Sequence, residues 1–276
     1  MKNMLITFGD SFTWGEGLDS SLIREMFPQW SDKLAEWTER DDMPNEIQRF
    51  KYKLTTSIPE LNIRRIQSTY GYLLNEKLGT THIANGVNGG SNIDRLVDLD
   101  FFMNIFDIAT DVHLSHCVFQ LTHVCRDIEH ILQAKWNLDI VRVTEEVFPP
   151  DYRKEVEGKD YWDWERLDLF TIAMKYVIEA VTQRFRIMEE KWGTKCIFFL
   201  ALSEKVFHPD FWEYLRSNPY FVPMIWNGVE YTSFSEIGRL NNLTLRDTTG
   251  FHDGHCDNSL HKWLSQYLYL KLTDKL

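Results

Sequence analysis

The sequence predicts a layered α/β fold built on a mainly parallel sheet, and three observations predict it. Short apolar runs rich in β-formers recur along the chain, each followed by a longer helix-patterned run, which is how βα units read. Cys196-Ile197-Phe198-Phe199-Leu200-Ala201-Leu202 has no polar alternation, as expected of a strand covered on both faces. Phe170, Met174, Val177, Val181, Phe185, Met188 and Trp192 recur at three- and four-residue steps, one apolar stripe of a long helix.

Five core strands are expected, at Met4 to Phe8, His82 to Ala84, Cys117 to Leu121, Cys196 to Leu202 and Leu243 to Leu245. The long helix takes Asp168 as its N-cap and Gly193 as its C-terminal stop. A last helix, from about Asn258 to Leu272, turns Leu260, Trp263, Leu264, Tyr267 and Leu268 inward, with Asp257 or Asn258 as its cap. One domain spanning 1–276 is the simplest organisation, with insertions at about 18–64, 137–166 and 203–240. Charge runs such as Glu39-Arg40-Asp41-Asp42 read as solvated faces; the alternative is a lid or specificity loop.

Composition narrows the function classes. With 43% hydrophobic and 26% charged residues, the chain has the make-up of a soluble globular protein. A net charge of −11 disfavours non-specific attraction to nucleic acid or to an anionic membrane, so neither is an expected partner. No apolar run is long enough to span a bilayer, and Met1 to Phe8 is too short for a secretory core. Cys117, Cys125, Cys196 and Cys256 form no CxxC pair, so reduced thiols in a cytoplasmic setting are expected.

Three segments carry chemistry. Leu5-Ile6-Thr7-Phe8 runs into Gly9-Asp10-Ser11-Phe12, where a strand's carboxyl end meets a turn, the usual location of ligand chemistry in such folds. Gly-Asp-Ser is also an ordinary turn and capping tripeptide. Asn85-Gly86-Val87-Asn88-Gly89-Gly90-Ser91-Asn92 is a Gly/Asn-rich strand-to-helix turn, with Asp94 and Arg95 opening the helix. Asp253-Gly254-His255 precedes the final helix. A serine hydroxyl needs a base within reach, a histidine titrates where it can serve, and a carboxylate fixes the imidazole tautomer. Ser11, His255 and Asp253 supply those groups, with a backbone turn at Gly254 expected to bring the last two together. Asp247 and Asp257 compete as the acid, and His252 and His261 as the base, although His261 falls within the final helix. The same cluster admits a metal-ligand reading, which its irregular spacing disfavours.

In order and placement these motifs resemble the GDSL/SGNH hydrolase family. The resemblance covers the motifs and the implied core rather than the whole chain. It implies a three-layer α/β/α sandwich with a flavodoxin-like five-stranded sheet, and a serine esterase or deacylase acting through an acyl-Ser11 intermediate. It also implies a small-molecule or carbohydrate acyl ester, possibly an acetyl ester, as substrate, with neither metal nor organic cofactor. The oxyanion hole then takes the N–H of Ser11 and of Gly90, with Gly89 as the fallback. Asp10, Asn88, Asn92, His123 and Arg126 are candidate substrate contacts.

The family's third block ends in an asparagine that completes the hole. Here Phe119-Gln120-Leu121-Thr122-His123 has Thr122 at that place. Asn88 or Asn92 is an alternative third donor, and Arg126 has a plainer reading as a surface partner of Asp127 or Glu129. The departure leaves open an acyltransferase with the same triad, or a binding protein on the same frame. Gly-x-Ser-x-Gly, a phosphate loop and Gly-x-Gly-x-x-Gly are all absent, which argues against the α/β-hydrolase fold and against nucleotide binding.

Overall fold

The structure, a computed structural model, describes residues 2–10, 13, 18, 22, 25, 26, 57–86, 90–133, 138–156, 167–201, 209–246 and 252–275. Four strands form the central sheet: β1 (Lys2–Gly9), β2 (Thr81–Gly86), β3 (Val112–Leu121) and β4 (Lys195–Leu200). Their order is β2-β1-β3-β4, and every neighbouring pair is parallel. Parallel neighbours need long crossovers, and helices supply them. Between β1 and β2 run α1 (Pro59–Ser68) and α2 (Tyr70–Leu78), and between β2 and β3 runs α3 (Asn92–Ile108). The β3-to-β4 connection carries α4 (Cys125–Gln133), α5 (Leu138–Val147), α6 (Pro150–Val156) and α7 (Leu167–Trp192). Beyond β4 come α8 (Pro209–Ser217), a hairpin of β5 (Met224–Trp226) and β6 (Val229–Tyr231), and α9 (Phe234–Leu240). A second antiparallel pair, β7 (Thr244–Arg246) and β8 (His252–Cys256), leads into α10 (Asn258–Leu272).

β1, β3 and β4 are apolar over most of their length because both faces of the sheet are covered there, whereas β2, at the edge, has no buried residue. Ile6, Phe8, Cys117, Phe119, Leu121, Phe198 and Leu200 pack into one cluster with Ile93 and Leu96 of α3 and Val177, Val181 and Phe185 of α7. Leu5, Val118, Ile197, Phe199 and Ala201 point the other way, onto Tyr70 and Leu74 of α2 and Leu260, Leu264 and Leu268 of α10. The result is three layers, helix–sheet–helix. An ion-pair cluster ties the α3 side together. Arg184 of α7, with a side chain only 5% exposed, forks onto Asp100 of α3 at 2.7 and 2.9 Å and reaches Glu146 of α5 at 3.1 Å.

The expected stripe of α7 is its core face, and the helix ends where expected: Gly193 adopts φ 66° and donates its N–H to Glu189 O at 2.9 Å. At its start the helix takes in Asp168, since it begins at Leu167. Asp257 caps α10, accepting from the Leu260 N–H at 2.9 Å.

The fifth strand is a correction. Leu243 to Leu245 was expected in the parallel sheet, but β7 pairs antiparallel with β8, in a sheet of its own. Leu243-Thr244-Leu245 alternates apolar and polar, which suits a strand with one covered face rather than two. The outer edge of β4 is met instead by Phe221, through a parallel bridge to Phe198. Phe198 N–H donates to Tyr220 O at 2.8 Å, and Val222 N–H donates to Phe198 O at 2.9 Å. Before the bridge, the Tyr220 N–H turns away from β4 and donates to Asn218 Oδ1 at 3.0 Å. Among the described residues, no helix is long and apolar enough to cross a membrane.

Candidate active site

The strand order creates a crevice. The connection leaving β1 passes over one face of the sheet as α2, while that leaving β3 returns over the other as α7. At such a switch point the carboxyl ends of the two strands open onto a cleft. Asp10 follows β1 there, and Thr122 follows β3.

The Asp10 side chain has no exposure to solvent. Its Oδ2 accepts from the Thr122 hydroxyl at 2.7 Å and from Arg126 Nη1 at 3.0 Å, and its Oδ1 accepts from Gln120 Nε2. A buried carboxylate is tolerable only when paired and hydrogen-bonded, and here it is both. The cation lies on the first turn of α4, with its side chain 27% exposed. Arg126 therefore pairs inward with the buried Asp10, beyond the surface role that the plainer expectation gave it. The same Nη1 also lies 3.2 Å from Gly90 O and 3.2 Å from Thr122 Oγ1.

Gly90 is buried, and Ser91 caps α3 through a capping box with Asp94. Asn92 is fully buried, with both ends of its amide committed. Its Oδ1 accepts from Thr122 N–H at 2.9 Å, and its Nδ2 donates to Asp127 Oδ2 at 2.7 Å and to Thr122 O at 3.2 Å. Asp127 in turn accepts from the Ile93 N–H at 2.8 Å, a carboxylate on the amino end of α3. Asn92 thus joins the end of β3 to α3, whereas the sequence offered it as a substrate contact or oxyanion donor. Thr122 has likewise given its hydroxyl proton to Asp10 and its N–H to Asn92. His123 is half-buried on the turn between β3 and α4.

Ser11, Asn88 and Gly89 lie outside the described residues. Asp253 and His255 lie on β8, and their side chains are outside what is described. The turn expected at Gly254 is instead an irregular strand. Thr244 pairs with Cys256 and Arg246 with His252, so β8 carries two more residues than β7 across the same span. Extra residues of this kind make a bulge, which bends a strand without needing a turn. His261 lies in α10 and is fully buried, and its Nδ1 accepts from the Tyr70 N–H at 3.2 Å.

Behind Asp10 lies a buried hydrogen-bond network whose members, Thr13 and Tyr70, the sequence did not single out. Thr13 Oγ1 donates to Gln120 Oε1 at 2.6 Å and lies 2.9 Å from the Tyr70 hydroxyl. Burial pushes the Tyr70 phenol well above its usual range, so it stays protonated. Asp10, Gln120, Thr13 and Tyr70 therefore form one buried chain of hydrogen bonds, which Tyr70 extends to His261 on α10. Gln120 was the available signal: one amide within an otherwise apolar strand needs buried partners. Gly9 makes room for this network. A Cβ on it would lie 2.1 Å from Thr13 Oγ1 and 2.9 Å from Gln120 Oε1.

No protein-family model matches the chain, and no curated protein sequence is significantly similar to it. Among solved structures, it is similar to a candidate lipolytic protein of the G-D-S-L family from Desulfitobacterium hafniense DCB-2, at 11% identity and a TM-score of 0.39, with 98% of each chain covered. It is also similar to a carbohydrate esterase family 2 enzyme with a carbohydrate-binding domain from Corynascus thermopiles (Myceliophthora fergusii). That match has 13% identity and a TM-score of 0.41 and covers 99% of this chain and 66% of the other. A third similar structure is a carbohydrate esterase whose active site displays divergent catalytic and non-catalytic binding functions, at 9% identity and a TM-score of 0.44, covering 99% of this chain and 65% of that one.

Proposed function

We propose that the protein is a serine esterase or deacylase of the SGNH type that hydrolyses an acyl ester of a small molecule or carbohydrate. Ser11 is the nucleophile, His255 the general base and Asp253 the carboxylate that orients it. His255 takes the Ser11 proton as Oγ attacks the ester carbonyl, then returns it to the departing alcohol. Water, deprotonated by the same imidazole, releases the acid from acyl-Ser11. The tetrahedral oxyanion is received by the N–H groups of Ser11 and Gly90.

One observation carries this reading. The residue preceding Ser11, the buried Gly90 and Thr122 just after β3 are held together at the sheet's topological switch point by Arg126, which lies 3.0 Å from Asp10 Oδ2 and 3.2 Å from both Gly90 O and Thr122 Oγ1. Cleft chemistry in open α/β sheets belongs at that point. The Tyr70–His261 bond at 3.2 Å, with Thr13 on the Tyr70 hydroxyl at 2.9 Å, supports the reading from the other end of the sequence, since α10 directly follows β8.

The test is intact-mass detection of a fluorophosphonate adduct, together with turnover of a chromogenic acetyl ester. Wild type is expected to take one adduct and to turn the ester over; Ser11→Ala and His255→Ala are expected to do neither while keeping the fold. Turnover retained in Ser11→Ala, or a wild type inert in both assays, overturns the reading.

A further inference from the structure

We infer that Arg126 is a positioning residue for the oxyanion hole, holding in place the two chain segments that carry its backbone donors. The inference rests on the esterase reading above. A side-chain donor at position 122 is what the family resemblance implies, but the Thr122 hydroxyl is bonded to Asp10 at 2.7 Å and its N–H to Asn92 at 2.9 Å. On the esterase reading the hole then relies on the backbone N–H groups of Ser11 and Gly90. Backbone donors stabilise a developing charge only as well as their turns are fixed, because displacement by about 1 Å costs on the order of 10²-fold in rate.

Arg126 fixes both turns with one nitrogen. Nη1 lies 3.0 Å from Asp10 Oδ2, covalently next to Ser11, and 3.2 Å from the carbonyl of Gly90. Thr122 Oγ1, also at 3.2 Å, makes the third acceptor, so the loops after β1, β2 and β3 converge on a single guanidinium nitrogen. A charged donor to a carboxylate that is wholly buried is among the stronger contacts available. Lysine carries the charge but presents a compact ammonium on a shorter, more flexible stem, so it reproduces only part of this geometry.

The experiment is steady-state hydrolysis of a chromogenic acetyl ester by wild type, Arg126→Ala and Arg126→Lys, with near-ultraviolet circular dichroism to verify the fold. Expected is a fall in kcat of roughly 10- to 100-fold in Arg126→Ala with KM moving less than about threefold, and partial recovery of kcat in Arg126→Lys. A general loosening of the fold lowers the active fraction and is not restored by lysine in proportion to kcat at full native signal. If Arg126→Ala does not fold, Arg126→Gln, which keeps donors without the charge, takes its place. A kcat within threefold of wild type, or a loss expressed only in KM, overturns the inference while the esterase reading stands. A wild type without turnover or fluorophosphonate adduct overturns both.

Discussion

Gly9→Ala is the sharpest test of the packing behind the candidate site. The new methyl carbon falls 2.1 Å from Thr13 Oγ1 and 2.9 Å from both Cδ and Oε1 of Gln120. Thr13 has to retreat, and it gives up its 2.6 Å bond to Gln120 and its 2.9 Å contact with Tyr70. Two buried hydrogen bonds at about 1 kcal/mol each, plus about 1 kcal/mol for the crowding, predict a destabilisation of about 3 kcal/mol. In a chain of this size that lowers the melting temperature by roughly 6–12 °C. The cause is isolated by a double-mutant cycle in urea. Thr13→Ala alone costs about 1–2 kcal/mol, and the double variant stays close to that figure because the overlap with Oγ1 is gone. Simple additivity of the two, or a Gly9→Ala protein within about 0.5 kcal/mol of wild type, would refute the steric argument.

Arg184→Ala leaves Asp100, whose side chain is 18% exposed, without its 2.7 Å partner; it is expected to cost about 3 kcal/mol in urea, with part recovered when Asp100→Asn is added. Acid should destabilise the fold through His82, whose pKa burial lowers from 6.5 to about 4. The unfolded chain takes up that proton first, so the contribution is complete above about pH 6.5 and falls as the pH drops toward 4, a loss of about 2 kcal/mol by pH 5. Burial, with Lys195 nearby, lowers His116 to about 4 as well, adding the same sign. Urea midpoints at pH 7 and pH 5 measure the loss, and His82→Gln should flatten the dependence; an equal pH slope in that variant would sink the assignment.

The fold class was legible because its signals are local. β1, β3 and β4 announce themselves as short apolar runs, β2 only through Ile83 and Ala84, and α7 and α10 as stripes with recognisable ends. What failed depended on distant contacts. Leu243-Thr244-Leu245 reads as a core strand until β8 pairs with it, and Tyr220-Phe221-Val222 takes the sheet edge only because Phe198 lies beside it. The hairpin of β5 and β6 carried an overlooked signal: Asn227 and Gly228 adopt φ 49° and 79°, as an Asn-Gly turn requires. In the candidate site, sequence reasoning singled out Asp10, Gly90, Thr122 and Arg126. It did not reveal that they bond to one another, since the pairs Asp10–Arg126 and Asp10–Thr122 are separated by 116 and 112 positions. Thr13 and Tyr70 gave no advance sign, because a threonine and a tyrosine are ordinary until each is found buried on the other.

The meeting of Tyr70 with His261 across 191 positions constrains how the molecule can be made. Synthesis is vectorial, so all four strands of the sheet emerge from the ribosome before α10 does. During that interval α2, Leu5, Val118 and Phe199 lack the helix that covers them, and a nascent chain displays one greasy face of a nearly finished sheet. That interval is when a chaperone would find its target and when aggregation would compete with completion. Slowing translation between β4 and α10 should therefore reduce the yield of soluble protein more than the same delay placed before β3.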